Sequence, residues 1–271
     1  IVGGATLVYL VPRYNNKNIL QISYLWSFIV CFLVYFILSL FGDLNLDYVL
    51  HICLLSLLNS FVSINSMIVL GKEKINAKNI ISLTQTSMIV FSLLYFFLFL
   101  ELRDIYAYVF SLYIGFGVAF FVSLFFVSKY FKVNAILNND KIALLKAIFR
   151  LGMFNQLSHI TQLMSLRLSY YILLIYIGKD SVGVYSVAIA LVESVWLVSN
   201  SIATVQYAKI SNSSDELADK ELTIRLLRFS LLISFILLII LSIMPSVFYQ
   251  FLLGKEFSSV DKLIIVLSPG V

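Results

Sequence analysis

The feature that most constrains this chain is a series of uninterrupted apolar runs of about 20 residues, the length needed to cross a hydrocarbon layer of about 30 Å. No water is available there for the backbone, so each run has to satisfy its amides internally as a helix or within a closed barrel. A transmembrane β-barrel needs segments of about ten residues that alternate apolar and polar positions, and these runs do not alternate. Only 12% of the 271 residues are charged, while 61% are hydrophobic, against about 25% charged in a soluble domain. The fold class expected is all-α, a polytopic membrane helix bundle. Seven complete spans are predicted, at 19–41, 48–70, 80–100, 105–127, 149–177, 182–207 and 222–244. Partial spans lie at 1–11 and from about 259 onward. The chain starts and stops in mid-span, so it reads as an internal fragment of a longer protein that does not transport by itself.

The charges that remain are placed unevenly. Of the 19 Lys and Arg residues, 14 fall in the loops and helix ends of one side, from Arg13 and Lys17 through Lys72, Lys74 and Lys78 to Arg225 and Arg228. Four lie on the other side (Arg103, Lys179, Lys255 and Lys262), and Arg167 lies inside a span. The positive-inside rule makes the basic side cytoplasmic, which accounts for the net charge of +5 without a nucleic-acid partner. The longest connection, 129–150, mixes Lys141, Lys146 and Arg150 with Ile142, Leu144, Leu145 and Ile148. It reads as an amphipathic linker on an anionic leaflet or as a basic loop that enforces topology. It divides the chain into a partial N-terminal lobe (1–128) and a partial C-terminal lobe (151–271).

Charges inside a membrane usually line a wet cavity or pair with one another. Arg167 and Glu193 are the two clear cases. At about 1.5 Å per residue both fall about 15 Å below the surface opposite the basic one, on consecutive antiparallel helices. A midplane Arg167–Glu193 pair is therefore expected. Asn155, Ser158, Gln162, Ser165 and Ser169 recur every three or four residues and share a face, with His159 beside it and Gln156 nearer Arg167. Ser186, Glu193, Asn200 and Thr204 form a second stripe. Cavity lining by Arg167, Glu193, Gln156, His159, Asn155 and Asn200 competes here with a plainer role, hydrogen bonds that glue helices together. His159 fits a hydrogen-bonded structural histidine better than a proton relay. Cys31 and Cys53 lie in apolar runs and suggest neither a disulfide nor a metal site. Gly3, Gly4, Gly115 and Gly117 read as close-packing points. Phosphate-binding loops, paired cysteines, nucleophile elbows and zinc motifs are lacking, so no catalytic residue, metal or cofactor is assigned and a non-enzyme is expected.

Three stretches resemble the polysaccharide flippases of the multidrug/oligosaccharidyl-lipid/polysaccharide exporter superfamily, of the O-antigen (Wzx) kind. The first is FRLGMFNQLS at 149–158 with RLSYY at 167–171. The second is GKDSVGVYS at 178–186 with ALVE at 190–193 and SIATVQY at 201–207. The third is LGKEF at 253–257 with LSPG at 267–270; GGATL at 3–7 and PRY at 12–14 are similar to the end of the family's second span. The resemblance implies a two-lobed exporter fold around a central cavity, with Arg167 facing it. It also implies transport of an undecaprenyl-pyrophosphate-linked oligosaccharide across the bacterial cytoplasmic (inner) membrane for surface polysaccharide (O-antigen or capsule) biosynthesis. The implied partners are that lipid, membrane lipids and other polysaccharide-assembly membrane proteins. Two further readings stay open. One is an ion-coupled multidrug extruder of the same superfamily, for which Glu193 would serve. The other is a membrane-embedded glycosyltransferase or acyltransferase, for which Asp43, Asp47, Glu101 and Asp104 qualify by location alone.

Overall fold

The computed structural model describes residues 4–40, 46–102, 104–130 and 140–270. Gly3, Asp43, Arg103, Lys132, most of the loop at 42–47 and residues 131–139 of the linker, each singled out by the sequence, lie outside the described residues. Those described form helices and turns, with no strand among them: an all-α membrane protein. The helices are α1 (Gly4–Leu10), α2 (Asn16–Leu40), α3 (Leu46–Gly71), α4 (Ile75–Leu98), α5 (Ile105–Tyr130), α6 (Lys141–Tyr176), α7 (Lys179–Ser194), α8 (Trp196–Asn212), α9 (Glu216–Ile243), α10 (Ser246–Leu253) and α11 (Val260–Leu267).

Several starts are written in the sequence as Asx caps, in which a side-chain oxygen takes amides the helix leaves unpaired. Asp104 Oδ1 accepts from Ala107 N at 3.0 Å. Asp140 accepts from Ile142 N and Ala143 N, and Asp215 from Leu217 N and Ala218 N at 3.0 and 3.1 Å. After α6, Gly178 takes φ +106°, a conformation costly for any residue with a Cβ. Its amide reaches back to Leu173 O at 3.1 Å and closes the helix end.

Six stretches are long and apolar enough to cross a membrane: α2, α3, α4, α5, α9 and the segment Lys179–Asn212 that holds α7 and α8. The sequence reading counted a seventh. That helix, α6, is 36 residues long but too polar to qualify, because Arg150, Asn155, Gln156, His159, Gln162 and Arg167 interrupt its apolar residues. Large apolar side chains such as Leu25, Phe32, Phe91, Phe121 and Phe235 are exposed on the helix surfaces. Water would not tolerate so much apolar surface, whereas lipid tails solvate it.

The chain forms two compact units, 1–156 and 157–271. In the first, α3 is the central helix, half of its most apolar stretch being buried against 6% for α2 and for α4. Leu7, Leu10 and Val11, Ile19 of α2, Ile64 and Ile68 of α3, and Leu144 and Ile148 of α6 form one buried cluster. Thus the beginning of α6, which belongs to the basic linker of the sequence reading, inserts two fully buried residues into this core and leaves Ile142 and Leu145 exposed. Val69, Ala77 and Val127 extend the packing at the same end. The basic residues gather there as well. Lys74 and Lys129 flank the Tyr130 ring. With the Asn16 amide oriented to suit both its neighbours, Lys72 Nζ donates to Asn16 Oδ1 at 2.8 Å. Burial holds the Lys72 ammonium below the usual lysine range.

Gly115 is a close-packing point as expected: a Cβ there would collide with Ile89 and stand 3.1 Å from Gln85 O, so α4 and α5 touch backbone to side chain. Gly4 and Gly117 are not, since a Cβ at either meets nothing within 4 Å. Small residues permit close approach, but whether a neighbour uses it depends on which way the residue faces.

In the second unit, Ala188 and Val192 of α7 pack on Tyr249 of α10 and on Val260 and Ile264 of α11. Tyr249 OH donates to Leu241 O at 2.6 Å, satisfying a carbonyl at the frayed end of α9 before Pro245 breaks the chain's course. Polar bonds join α8 to α9, including Ser199 Oγ to Ser234 Oγ at 3.0 Å and Gln206 Nε2 to Thr223 Oγ1 at 2.9 Å. Helix α9 has no fully buried residue; such bonds, and the packing of Leu238 and Leu241 against the Tyr249 cluster, hold it in place.

Candidate functional site

The polar residues picked from the sequence fall into both units. In the first, Asn155 and Gln156 stand side by side on α6 and do different things. Asn155 Nδ2 donates to Thr6 Oγ1 at 2.8 Å, and Thr6 is 1% exposed. Asn155 therefore links α6 to α1, which is the helix-glue role. Gln156 lines a cavity of about 490 Å³ with Trp26, Ser27, Cys31, Cys53 and Ser56 of α2 and α3. Both cysteines are free thiols, with Cys31 Sγ 3.3 Å from Cys53 O. Trp26 also meets Phe149 edge-on at 4.8 Å. The α2 and α3 side of this cavity did not stand out in the sequence, because Ser and Cys within apolar runs look like ordinary packing residues.

A second polar construction runs from half-buried Tyr24 into the core. Tyr24 OH donates to Asn65 Oδ1 at 2.7 Å, and Asn65 Nδ2 donates to Ser123 Oγ at 2.8 Å. Asn65 and Ser123 are fully buried. One amide thus ties α2, α3 and α5 together in a setting where an unpaired amide would be costly. An isolated Asn in an apolar run was the available signal, and it was not used.

In the second unit, Arg167 is exposed with its guanidinium 5.5 Å from the centre of the Tyr170 ring. Tyr170 meets Tyr185 of α7 edge-on at 5.4 Å. A cation held over an aromatic face keeps its in-plane N–H groups available to a planar anion. Among the described residues no ion pair joins Arg167 to Glu193, and the expected midplane pair is not formed. Depth was computed from position along the helix, which fixes height but not the side of the helix from which a residue projects. Glu193 is half-buried and sits where α7 ends and α8 begins. Ser194 Oγ takes Leu191 O at 2.6 Å, and Val195 N turns to Val192 O at 3.2 Å. A hydroxyl that captures the carbonyl due to the amide four residues on bends a helix in this way. His159 and Asn200 are exposed; the carbonyl of Asn200 accepts from Thr204 Oγ1 at 2.6 Å, so this part of the second stripe bonds to its own backbone.

A family model described as polysaccharide biosynthesis protein matches residues 18–261. No match was found among curated proteins or among solved structures.

Proposed function

The chain belongs to the polysaccharide biosynthesis protein family, and from that premise we propose that it is a flippase, not an enzyme. It moves a polyprenyl-pyrophosphate-linked oligosaccharide across the bacterial cytoplasmic membrane, with its basic helix ends on the cytoplasmic side. The observation that carries this reading is Arg167, an exposed arginine deep within a long helix and backed by Tyr170. A guanidinium offers paired donors that fit phosphate oxygens bidentately. A charge at that depth costs at least about 2.5 kcal/mol on insertion scales, a cost that an anionic headgroup offsets. His159 and Asn200, in the same unit as Arg167, add hydrogen-bonding groups suited to sugar hydroxyls, and no cofactor takes part.

One observation favours a second reading. Glu193 is half-buried at a helix break, a placement that transporters use for coupling ions, and it suits an ion-coupled extruder of cationic compounds.

Native mass spectrometry of the protein from its own membranes separates the two, run beside Arg167→Ala. The flippase reading expects a polyprenyl-pyrophosphate sugar on the wild type, reduced about tenfold or more in the variant, since hydrogen bonds to charged groups contribute about 1.5–3 kcal/mol. Equal retention by both forms would remove Arg167 from recognition. Complete absence of such a lipid, under conditions that keep other lipids bound, would favour the extruder.

A further inference from the structure

The basic end of the first unit carries charged groups that the proposed function leaves unused. There α1, the turn after it and the start of α6 line an open cavity of about 610 Å³. Its lining includes Arg13, Lys146 and Arg150 together with Tyr9 and Phe154, and among the described residues contains no carboxylate. We propose that this cavity binds the phosphate headgroup of an anionic membrane lipid.

The cations have independent origins in the chain, one after α1 and two on α6, and they converge only in the fold. Lys146 and Arg150 are four residues apart, and so stand on one helix face about 6 Å apart along the axis. Three neighbouring cations repel one another, and among the described residues neither Lys146 nor Arg150 has a carboxylate partner. An anion between them removes that repulsion. Arg13 is held in position by its own turn, with Nη1 donating to Tyr9 O at 2.6 Å and the guanidinium stacked 3.8 Å over the Tyr9 ring. Asp140, the residue before α6, accepts the amides of Ile142 and Ala143 and does not line the cavity.

Polarity within the cavity is graded. Leu151 and Phe154 line it on the membrane side of Lys146 and Arg150, so the lining changes from charged to apolar over about two helical turns. A free inorganic anion would make use of the charges alone. A lipid also uses the apolar flank, with its phosphate at the cations and its chains along α6. Burial of Leu144 and Ile148 on the opposite face anchors this part of α6, so the cations are presented from a fixed surface.

The inference does not depend on the flippase reading, because any anionic lipid of that leaflet has the required chemistry. The test uses the whole protein in phosphatidylcholine nanodiscs doped with a photoactivatable probe, either phosphatidylglycerol or farnesyl pyrophosphate. The variant is Lys146→Gln/Arg150→Gln, which leaves Leu144 and Ile148 untouched, and Lys220→Gln/Arg225→Gln serves as a control for loss of basic charge elsewhere. Labelling by one or both probes should map to residues 9–14 and 143–154 and fall about tenfold or more in the Lys146/Arg150 variant alone, each basic residue near an anionic surface contributing roughly a fivefold effect. Labelling by phosphatidylglycerol only identifies a bulk phospholipid as the occupant. Labelling by farnesyl pyrophosphate only identifies an isoprenoid carrier. Equal labelling with a phosphatidylcholine probe, labelling unchanged in the variant, or displacement of both lipid probes by an equal concentration of inorganic pyrophosphate would each overturn the proposal.

Discussion

Replacing Asn65 with leucine removes the one side chain that bonds α2, α3 and α5 at a single point. Tyr24 OH would lose its acceptor at 2.7 Å and Ser123 Oγ its donor at 2.8 Å. The change is nearly isosteric, so the cavity contribution is small and the loss reflects mainly the two bonds. Interhelical hydrogen bonds in membranes average about 0.6 kcal/mol and reach about 1.7, so the expected destabilisation is about 1–3 kcal/mol. The upper part of that range applies because Ser123 and Asn65 are fully buried; Ser123 keeps one bond, donating to Phe120 O at 2.7 Å. The assay is equilibrium unfolding by SDS titration in mixed micelles, for Asn65→Leu, Tyr24→Phe, Ser123→Ala and the two double variants. Each double-mutant cycle should return a coupling of about 0.6–1.7 kcal/mol. Wild-type stability for Asn65→Leu, with both couplings at zero, would show that the three helices are held by packing alone.

Two further substitutions test the fold elsewhere. Gly115→Leu drives a side chain into Ile89 and the Gln85 carbonyl, and should destabilise the first unit by about 1–3 kcal/mol in the same titration, whereas Gly117→Leu, facing open space, should change stability by less than about 0.5 kcal/mol. Asp215→Ala removes the acceptor for Leu217 N and Ala218 N. It should cost about 1 kcal/mol and raise amide hydrogen exchange in the first turn of α9, with Asp215→Ser retaining most of the protection.

The membrane-spanning helices were legible because the hydrocarbon layer imposes a length and a composition that nothing else in a chain imitates. The Asx caps at Asp104 and Asp215 bond amides two or three residues away, within the reach of a sequence window, although the sequence reading assigned no cap. What escaped the sequence was direction around a helix. Arg167 and Glu193 were placed at one depth and expected to meet, yet Arg167 turns to Tyr170, one turn along its own helix. Gly115 and Gly117 are two residues apart, and only the first faces a neighbour. The same gap hid the cavity at the basic end: Arg13, Lys146 and Arg150 were assigned to topology by their loops, and only folding brings α1 against α6. Helix α6 is the one predicted span that length and composition alone do not pick out among the described residues, because polar side chains interrupt its apolar run.

The most direct test of the central claim is translocation by the protein reconstituted from its native membranes into liposomes. A fluorescent polyprenyl-pyrophosphate oligosaccharide is placed in both leaflets, and a membrane-impermeant quencher is added outside. The account predicts protein-dependent loss of the protected half of the signal, slowed about tenfold or more by Arg167→Ala. Protection equal to that of protein-free vesicles, in preparations that do move a lipophilic cation across the membrane, would contradict it.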